Sequence, residues 1–238
     1  METERLLVCL AERPRETAIL LDVDGTLAPI VARPEDAVVP DATRGLVEQL
    51  AARYALVAAI SGRPGEDLGE LVGVEGVVYV GEHGLALDPR AAEWAPAIAE
   101  FAESVKWPAE LKRLSVSFHF RTAEDEQAAV TELRGVADRA VAAGLRPRWG
   151  RKVLEVRPPV DADKGTAVRA LLEERQLRRA LYAGDDATDL DAFRGLDGLD
   201  LVVRVAVVSD EGPTDLGEAA DIVVGDPHAL VGLLRTLV

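Results

Sequence analysis

Leu20-Leu21-Asp22-Val23-Asp24-Gly25-Thr26-Leu27 closes an apolar run with two carboxylates and turns at once through Gly-Thr. Alternate side chains of an extended segment share a face, so a strand ending here sends Asp22 and Asp24 off the sheet edge together. Gly25 permits the tight reversal that a residue with a Cβ resists. Such a run can hold a cation and attack an electrophile. Taken alone, it also fits an Asx-rich turn after a buried strand.

Downstream, Leu181-Tyr182-Ala183-Gly184-Asp185-Asp186-Ala187-Thr188-Asp189 repeats the design, an apolar strand running into Asp185, Asp186 and Asp189. If both strands lie in one parallel sheet, their carboxyl ends share the edge where ligands bind in such sheets. The carboxylates would then crowd one pocket. Two unit charges about 4 Å apart repel by about 4 kcal/mol at an effective dielectric of about 20. A hard divalent ion with oxygen ligands, Mg²⁺, is the simplest relief. A helix N-cap with an acidic first turn is the other reading, and it needs only one or two of the three residues.

Two further strand or helix ends carry groups suited to phosphate. Leu56–Ile60 ends in Ser61-Gly62-Arg63-Pro64, offering a hydroxyl, backbone amides and a guanidinium. Asp163-Lys164-Gly165-Thr166 opens an amphipathic helix and sets an ammonium beside the positive end of its dipole. Ser61 read alone is equally an N-cap, and Lys164 a solvated charge. Of 27 basic residues, only Lys106, Lys112, Lys152 and Lys164 are lysine. In so arginine-biased a chain, lysine is expected to survive best where a compact ammonium cannot be exchanged for a planar fork.

Taken in order, Asp-x-Asp-Gly-Thr, Ser-Gly-Arg, Asp-Lys-Gly and Gly-Asp-Asp-x-Thr-Asp resemble the four motifs of the haloacid-dehalogenase-like (HAD) phosphohydrolases. Gly81-Glu82-His83-Gly84, Ser117-Phe118-His119-Phe120-Arg121 and Lys152-Val153-Leu154-Glu155-Val156-Arg157-Pro158 are similar to signatures of the trehalose-6-phosphate phosphatase family within it. Leu190 stands where that family often has Glu, a departure that leaves the metal site alone. The resemblance implies an Mg²⁺-dependent phosphatase that hydrolyses trehalose 6-phosphate.

The paired aspartates motivate a two-step scheme. Asp22 attacks phosphorus; Asp24 protonates the leaving sugar oxygen and then activates the water that hydrolyses the aspartyl phosphate. Asp22 and Asp185 carboxylates and the Asp24 carbonyl hold the metal, with Asp189 or Asp186 behind them. Ser61 and Lys164 neutralise the phosphoryl oxygens, and Arg63 binds substrate. By the resemblance, Glu110 and Lys112 match a family Glu-x-Lys pair and Glu155 a cap glutamate, all expected to bind sugar hydroxyls. Glu82 and His83 follow a core strand near the hinge and are expected to touch substrate. His119 is assigned a supporting role, and strict alternation puts Lys152 on the strand face opposite Glu155. A phosphatase for sucrose phosphate or glycosyl-3-phosphoglycerate would use the same core, and a sugar phosphomutase the same nucleophile.

Composition sets the frame. A chain of 238 residues leads us to expect one α/β core with a smaller insertion. Alternating apolar runs (Ile19–Val23, Leu56–Ile60, Val77–Val80) and helices (41–53, 65–72) imply a Rossmann-like parallel-sheet core over 1–88 and 158–238. Between them, 89–157 reads as an α+β cap: a helix near 92–105, a strand over Leu114–Arg121, a helix near 124–143 and paired strands around Gly150. Along Leu114–Arg121 apolar and polar residues alternate, one face covered and one polar. A last helix is expected near 227–237. Closure of the cap would exclude bulk water. A net charge of −15 leaves no basic stripe for nucleic acid. The single Cys9 suits a reducing compartment, and the Leu6–Leu10 run is too short for a signal peptide. A cytoplasmic enzyme with a small-molecule substrate, and no membrane or obligate protein partner, is the expectation.

Overall fold

The computed structural model describes residues 2–150, 152–209 and 212–238. It first lays down α1 (Glu2–Glu12), β1 (Thr17–Leu21), α2 (Asp41–Arg53), β2 (Leu56–Ile60), α3 (Gly65–Val72) and β3 (Val78–Val80). Next come α4 (Ala95–Ser104), β4 (Glu110–Leu111), β5 (Val116–His119), α5 (Glu126–Ala142), β6 (Arg146–Gly150) and β7 (Val153–Arg157). The chain closes with α6 (Lys164–Glu174), β8 (Arg179–Gly184), α7 (Asp189–Gly195), β9 (Leu201–Val207), α8 (Thr214–Ala219), β10 (Ile222–Val224) and α9 (Pro227–Leu234).

Two compact units result, one of residues 1–84 with 163–238, the other of residues 85–162. The first is a parallel six-stranded sheet in the order β10-β9-β8-β1-β2-β3. Strand periodicity divides its core. Ile19 and Leu21 join Leu181 and Ala183 in one apolar cluster with α1, α2, α3 and α9. Ala18 and Leu20 join Ala180 and Tyr182 in another with α6, α7 and α8. With both faces covered, every residue of β1 and β2 is buried, so these strands are continuous apolar runs rather than alternating ones. Chain order reverses at β1, which lies between β8 and β2. The carboxyl ends of those three strands therefore form the switch point where α/β sheets bind ligands.

The second unit is an antiparallel sheet in the order β4-β5-β7-β6, with α4 and α5 packed on Val116, Phe118, Leu154 and Val156. It is wider than the 89–157 read from the sequence. Leu85 and Ala91 pack with Leu114, Val160 and Ala162 in a small core of their own. Arg146 donates to Val160 O (3.2 Å) and Asp161 Oδ1 (2.5 Å), and Arg157 to Ala162 O, tying the returning segment to the insertion. Pro158-Pro159 therefore lies inside this unit. Other ends shift as well. β1 stops at Leu21, leaving Asp22 and Val23 beyond it, and residues 89–94 form a 3₁₀ turn before α4. α9 gives way to a 3₁₀ turn at Arg235. Along 114–121 the polar alternates are not all solvated: Ser115, just before β5, and Ser117 on it are buried, and Glu155 lies across from Ser117 and accepts from Ser115.

α6 and α7 meet through glycine. A Cβ on Gly165 would stand 2.2 Å from Asp191 O, a backbone atom that cannot swing aside. This contact brings the first residues of the two helices, Lys164 and Asp189, side by side. Gly165→Ala is expected to cost about 1–3 kcal/mol by overpacking. The melting temperature should fall, and Lys164 would move with the helix. An unchanged melting point would show that the two helices can part without penalty.

Candidate active site

Asp22 leaves β1 with its N–H still donating to Ala183 O of β8 (2.9 Å), so the ends of those two strands are locked together. Gly25 turns the chain at φ +87°, and a Cβ there would stand 2.1 Å from Asp185 Oδ2. The glycine therefore serves two ends: it makes the reversal and clears room for the second carboxylate. Asp22, Asp185 and Asp189 are all buried, and one carboxylate oxygen of each lies within 4.8 Å of the others.

Lys164 is the counter-charge. Asp163 caps α6 in a reciprocal box with Thr166, fixing the helix start, and Lys164 follows as its first residue. Its Nζ donates to Asp22 Oδ1 and to Asp189 Oδ1, both at 2.6 Å. Asp189 has no unused acceptor: its Oδ1 also takes the Tyr182 hydroxyl (2.7 Å), and its Oδ2 takes the amides of Asp185 and Asp186 (2.9 Å each). Asp189 thus positions Lys164 and the Asp185 loop. Asp186 stands outside the cluster, its Oδ1 accepting from the Ala187 amide (2.7 Å). The sequence reading missed Tyr182. A hydroxyl inside an otherwise apolar strand was its only signal.

Burial drives the electrostatics. It pushes Asp22 from 3.8 to about 7; Lys164 pulls the value down and Asp189 adds to the rise. Burial, with the Asp22 and Asp189 charges, pushes Asp185 to about 9. Burial also opposes the Lys164 ammonium, but the Asp189 and Asp22 carboxylates outweigh it and lift Lys164 above its ordinary range. With three buried carboxylates against one ammonium, the donor set suits a hard divalent cation, whose ligands would be Asp22 and Asp185.

A pH dependence follows. Without metal, Asp22 and Asp185 retain protons in the folded state that the unfolded chain releases near 3.8. Stability should therefore fall as pH rises from about 4 through about 7, and on to about 9. Melting temperature against pH in chelator checks this, with Mg²⁺ expected to flatten the slope. A metal-free curve that rises across this window would contradict the argument.

Asp24 and Asp22 part company. Asp24 meets Arg63, which donates from Nε (2.7 Å) and Nη2 (2.8 Å) to its two oxygens and from Nη2 to Pro34 O (2.8 Å). The pair is half-buried. Ser61 is buried at the end of β2, where its N–H donates to Val80 O and its Oγ accepts from the Arg63 amide. Glu82 and His83, just past β3, take left-handed φ of 51° and 54°, a conformation disfavoured for side-chain-bearing residues. Their amides donate to Arg63 O (2.8 Å) and Ser61 O (2.9 Å), joining the two loops. Glu82 itself is buried.

In the second unit, Glu155 Oε1 accepts from Ser115 Oγ (2.9 Å) with Lys112 Nζ at 3.7 Å, and Arg157 Nε lies 3.8 Å from Oε2. Glu155 and Arg157 are buried, and Lys112 is partly so. Glu110 pairs with His119 Nε2 at 2.5 Å. Lys152 occupies the β6–β7 turn at φ 56° and pairs with Glu126 (3.0 Å).

The fold is that of the haloacid dehalogenase-like hydrolases. One from Bacteroides thetaiotaomicron superposes at TM-score 0.65, with 15% identity over 93% of this chain and 99% of that one. The Candida albicans trehalose-6-phosphate phosphatase C-terminal domain superposes at 0.79, with 22% identity over 98% of this chain and 96% of that one. Within that class the chain belongs to the trehalose-phosphatase family, whose pattern matches residues 20–107 and 108–215. A trehalose-phosphate phosphatase of Mycobacterium marinum is 34% identical over 215 residues, 79% of this chain and 54% of that protein. The chain spans about half the length of the mycobacterial trehalose-phosphate phosphatases it matches, and 16% of an uncharacterized glycosyl hydrolase of Mycobacterium tuberculosis that is 37% identical over 220 residues. Among the described residues, no helix is long and apolar enough to cross a membrane.

Proposed function

We propose that this chain is an Mg²⁺-dependent phosphatase that converts trehalose 6-phosphate to trehalose and phosphate in the cytoplasm. The carrying observation is the buried Asp22–Lys164–Asp189 chain beside Asp185, set at the switch point of the sheet. Lys164 occupies Asp22 Oδ1, so the other oxygen is the one to attack phosphorus. The P–O bond to the sugar breaks as the aspartyl phosphate forms, and Asp24 delivers a proton to the departing oxygen. Asp24 then takes a proton from the water that attacks phosphorus, returning Asp22 and releasing inorganic phosphate. Arg63 holds both Asp24 oxygens, so proton transfer requires it to swing away, and phosphate oxygens are its natural acceptors. The Ser61 hydroxyl and the Lys164 ammonium bind the remaining phosphoryl oxygens. Asp22 and Asp185 would hold a divalent cation, which when bound would add positive charge beside the phosphoryl group.

We assign sugar recognition to the inserted unit. Lys112 and Glu155 are held ready by Ser115 and Arg157 to donate to and accept from hydroxyls, and Glu110, steadied by His119, accepts another. Glu82 and His83 are assigned to the same substrate. Phosphate release with Mg²⁺ tests the reading on trehalose 6-phosphate, sucrose 6-phosphate, mannosyl-3-phosphoglycerate and glucose 1-phosphate. Preference for trehalose 6-phosphate, lost on chelation, is expected. Preference for another ester would keep the core chemistry and overturn the roles of Lys112, Glu155 and Glu110; no release from any would overturn the phosphatase.

A further inference from the structure

Three of the chain's rare lysines have carboxylate partners: Lys112 with Glu155, Lys152 with Glu126, and Lys164 with Asp22 and Asp189. Lys106 has none among the described residues. It borders a groove of about 450 Å³ between the end of α4 and the outer side of α5. Arg139 lines the same groove and likewise has no carboxylate partner among the described residues; its Nη1 donates to Ser104 O (3.4 Å). Glu132 is the one carboxylate in the lining, so in a chain of net charge −15 the groove keeps a net positive charge, an anion-attracting feature.

Three more observations give the ligand a body. Trp107 lines the groove, and its Nε1 donates to His119 O (2.9 Å), so the indole is pinned rather than free to rotate. On α5 the lining residues Glu132, Gly135, Val136 and Arg139 follow helical spacing and form one stripe. Gly135 is unusual there. A glycine inside a helix is unfavourable, and a Cβ at this position would meet nothing within 4 Å, so packing does not require it. What the glycine does is keep the groove open.

We propose that this groove binds a phosphorylated sugar. Lys106 and Arg139 match a phosphate dianion, a point charge and a planar fork against one tetrahedral group. The fixed indole offers an apolar surface for ring C–H bonds, and Glu132 accepts from hydroxyls. Glu132 also disfavours a polyanion such as a nucleoside triphosphate. Inorganic phosphate alone would leave most of the groove unfilled. The proposal uses none of the residues assigned to phosphoryl transfer, so it stands whether or not the core is a phosphatase.

The test is an amide and indole NMR titration of the full chain with glucose 6-phosphate, glucose and inorganic phosphate. Glucose 6-phosphate is expected to move the Trp107 indole and Gly135 amide signals saturably, with glucose and phosphate each far weaker. The exposed pair K106Q/R139Q should weaken this binding by about tenfold or more, with the melting temperature unchanged. Gly135→Leu, which fills the groove and leaves both cations, should weaken it too. Shifts confined to residues around Asp22 and Ser61 would overturn the groove and leave the core reading intact. Equal shifts with inorganic phosphate would show an adventitious ion only, and binding indifferent to these substitutions would overturn the proposal outright.

Discussion

Asp22→Asn is expected to lower phosphate release by about 10⁴-fold or more, the scale on which loss of an enzyme's covalent nucleophile registers. The amide keeps the side chain's shape but cannot displace the sugar and form an acyl phosphate. The fold should survive. Asp22 N–H still donates to Ala183 O, and Lys164 keeps Asp189 at 2.6 Å. Burial already pushes the Asp22 carboxyl to about 7, so a neutral amide replaces a group that is barely tolerated as an anion. In chelator above pH 7 the variant should therefore melt no lower than the parent. Retained turnover would sink the aspartyl-phosphate scheme; lost turnover with a lost fold would place Asp22 in the scaffold.

The strand ends were legible for a physical reason. In a parallel sheet covered on both faces, the apolar runs stop where the strands reach the polar groups at the carboxyl edge. Leu56–Ile60 and the carboxylates after Leu181–Gly184 mark such stops. Capping chemistry made α6 equally legible, since Asp163 and Thr166 satisfy the helix start whatever lies around it. Partner choice was not legible. Nothing local tells Asp189 from Asp186, yet one accepts four hydrogen bonds and the other caps its own turn. Nor does spacing show that Asp24 turns to Arg63 while Asp22 turns to Lys164, because β1 ends a residue before Asp22 and strand alternation no longer applies. The insertion's edges were hidden likewise. Pro158-Pro159 reads as a boundary, but Leu85, Val160 and Ala162 pack together from far apart in sequence.

Lys164→Met should have the second largest effect, and here the loss is of the fold as well as of turnover. Methionine fills similar space but leaves Asp22 and Asp189 facing each other in a buried site without their shared donor. Removing one partner of a buried ion pair costs about 3–5 kcal/mol. The sign with pH is fixed by the remaining groups. Without the ammonium, Asp22 gains a further reason to hold its proton, so the deficit should shrink toward acid and grow toward neutral pH. Added Mg²⁺ should restore part of the stability by supplying the missing positive charge, yet not the turnover, because the phosphoryl oxygens would still lack their lysine. Lys106→Met, which removes an exposed charge with no carboxylate partner, is the control and should change stability by no more than about 0.5 kcal/mol. If Lys164→Met melts with the parent in chelator at neutral pH, the carboxylates are protonated in the folded protein. The ammonium would then serve the reaction alone.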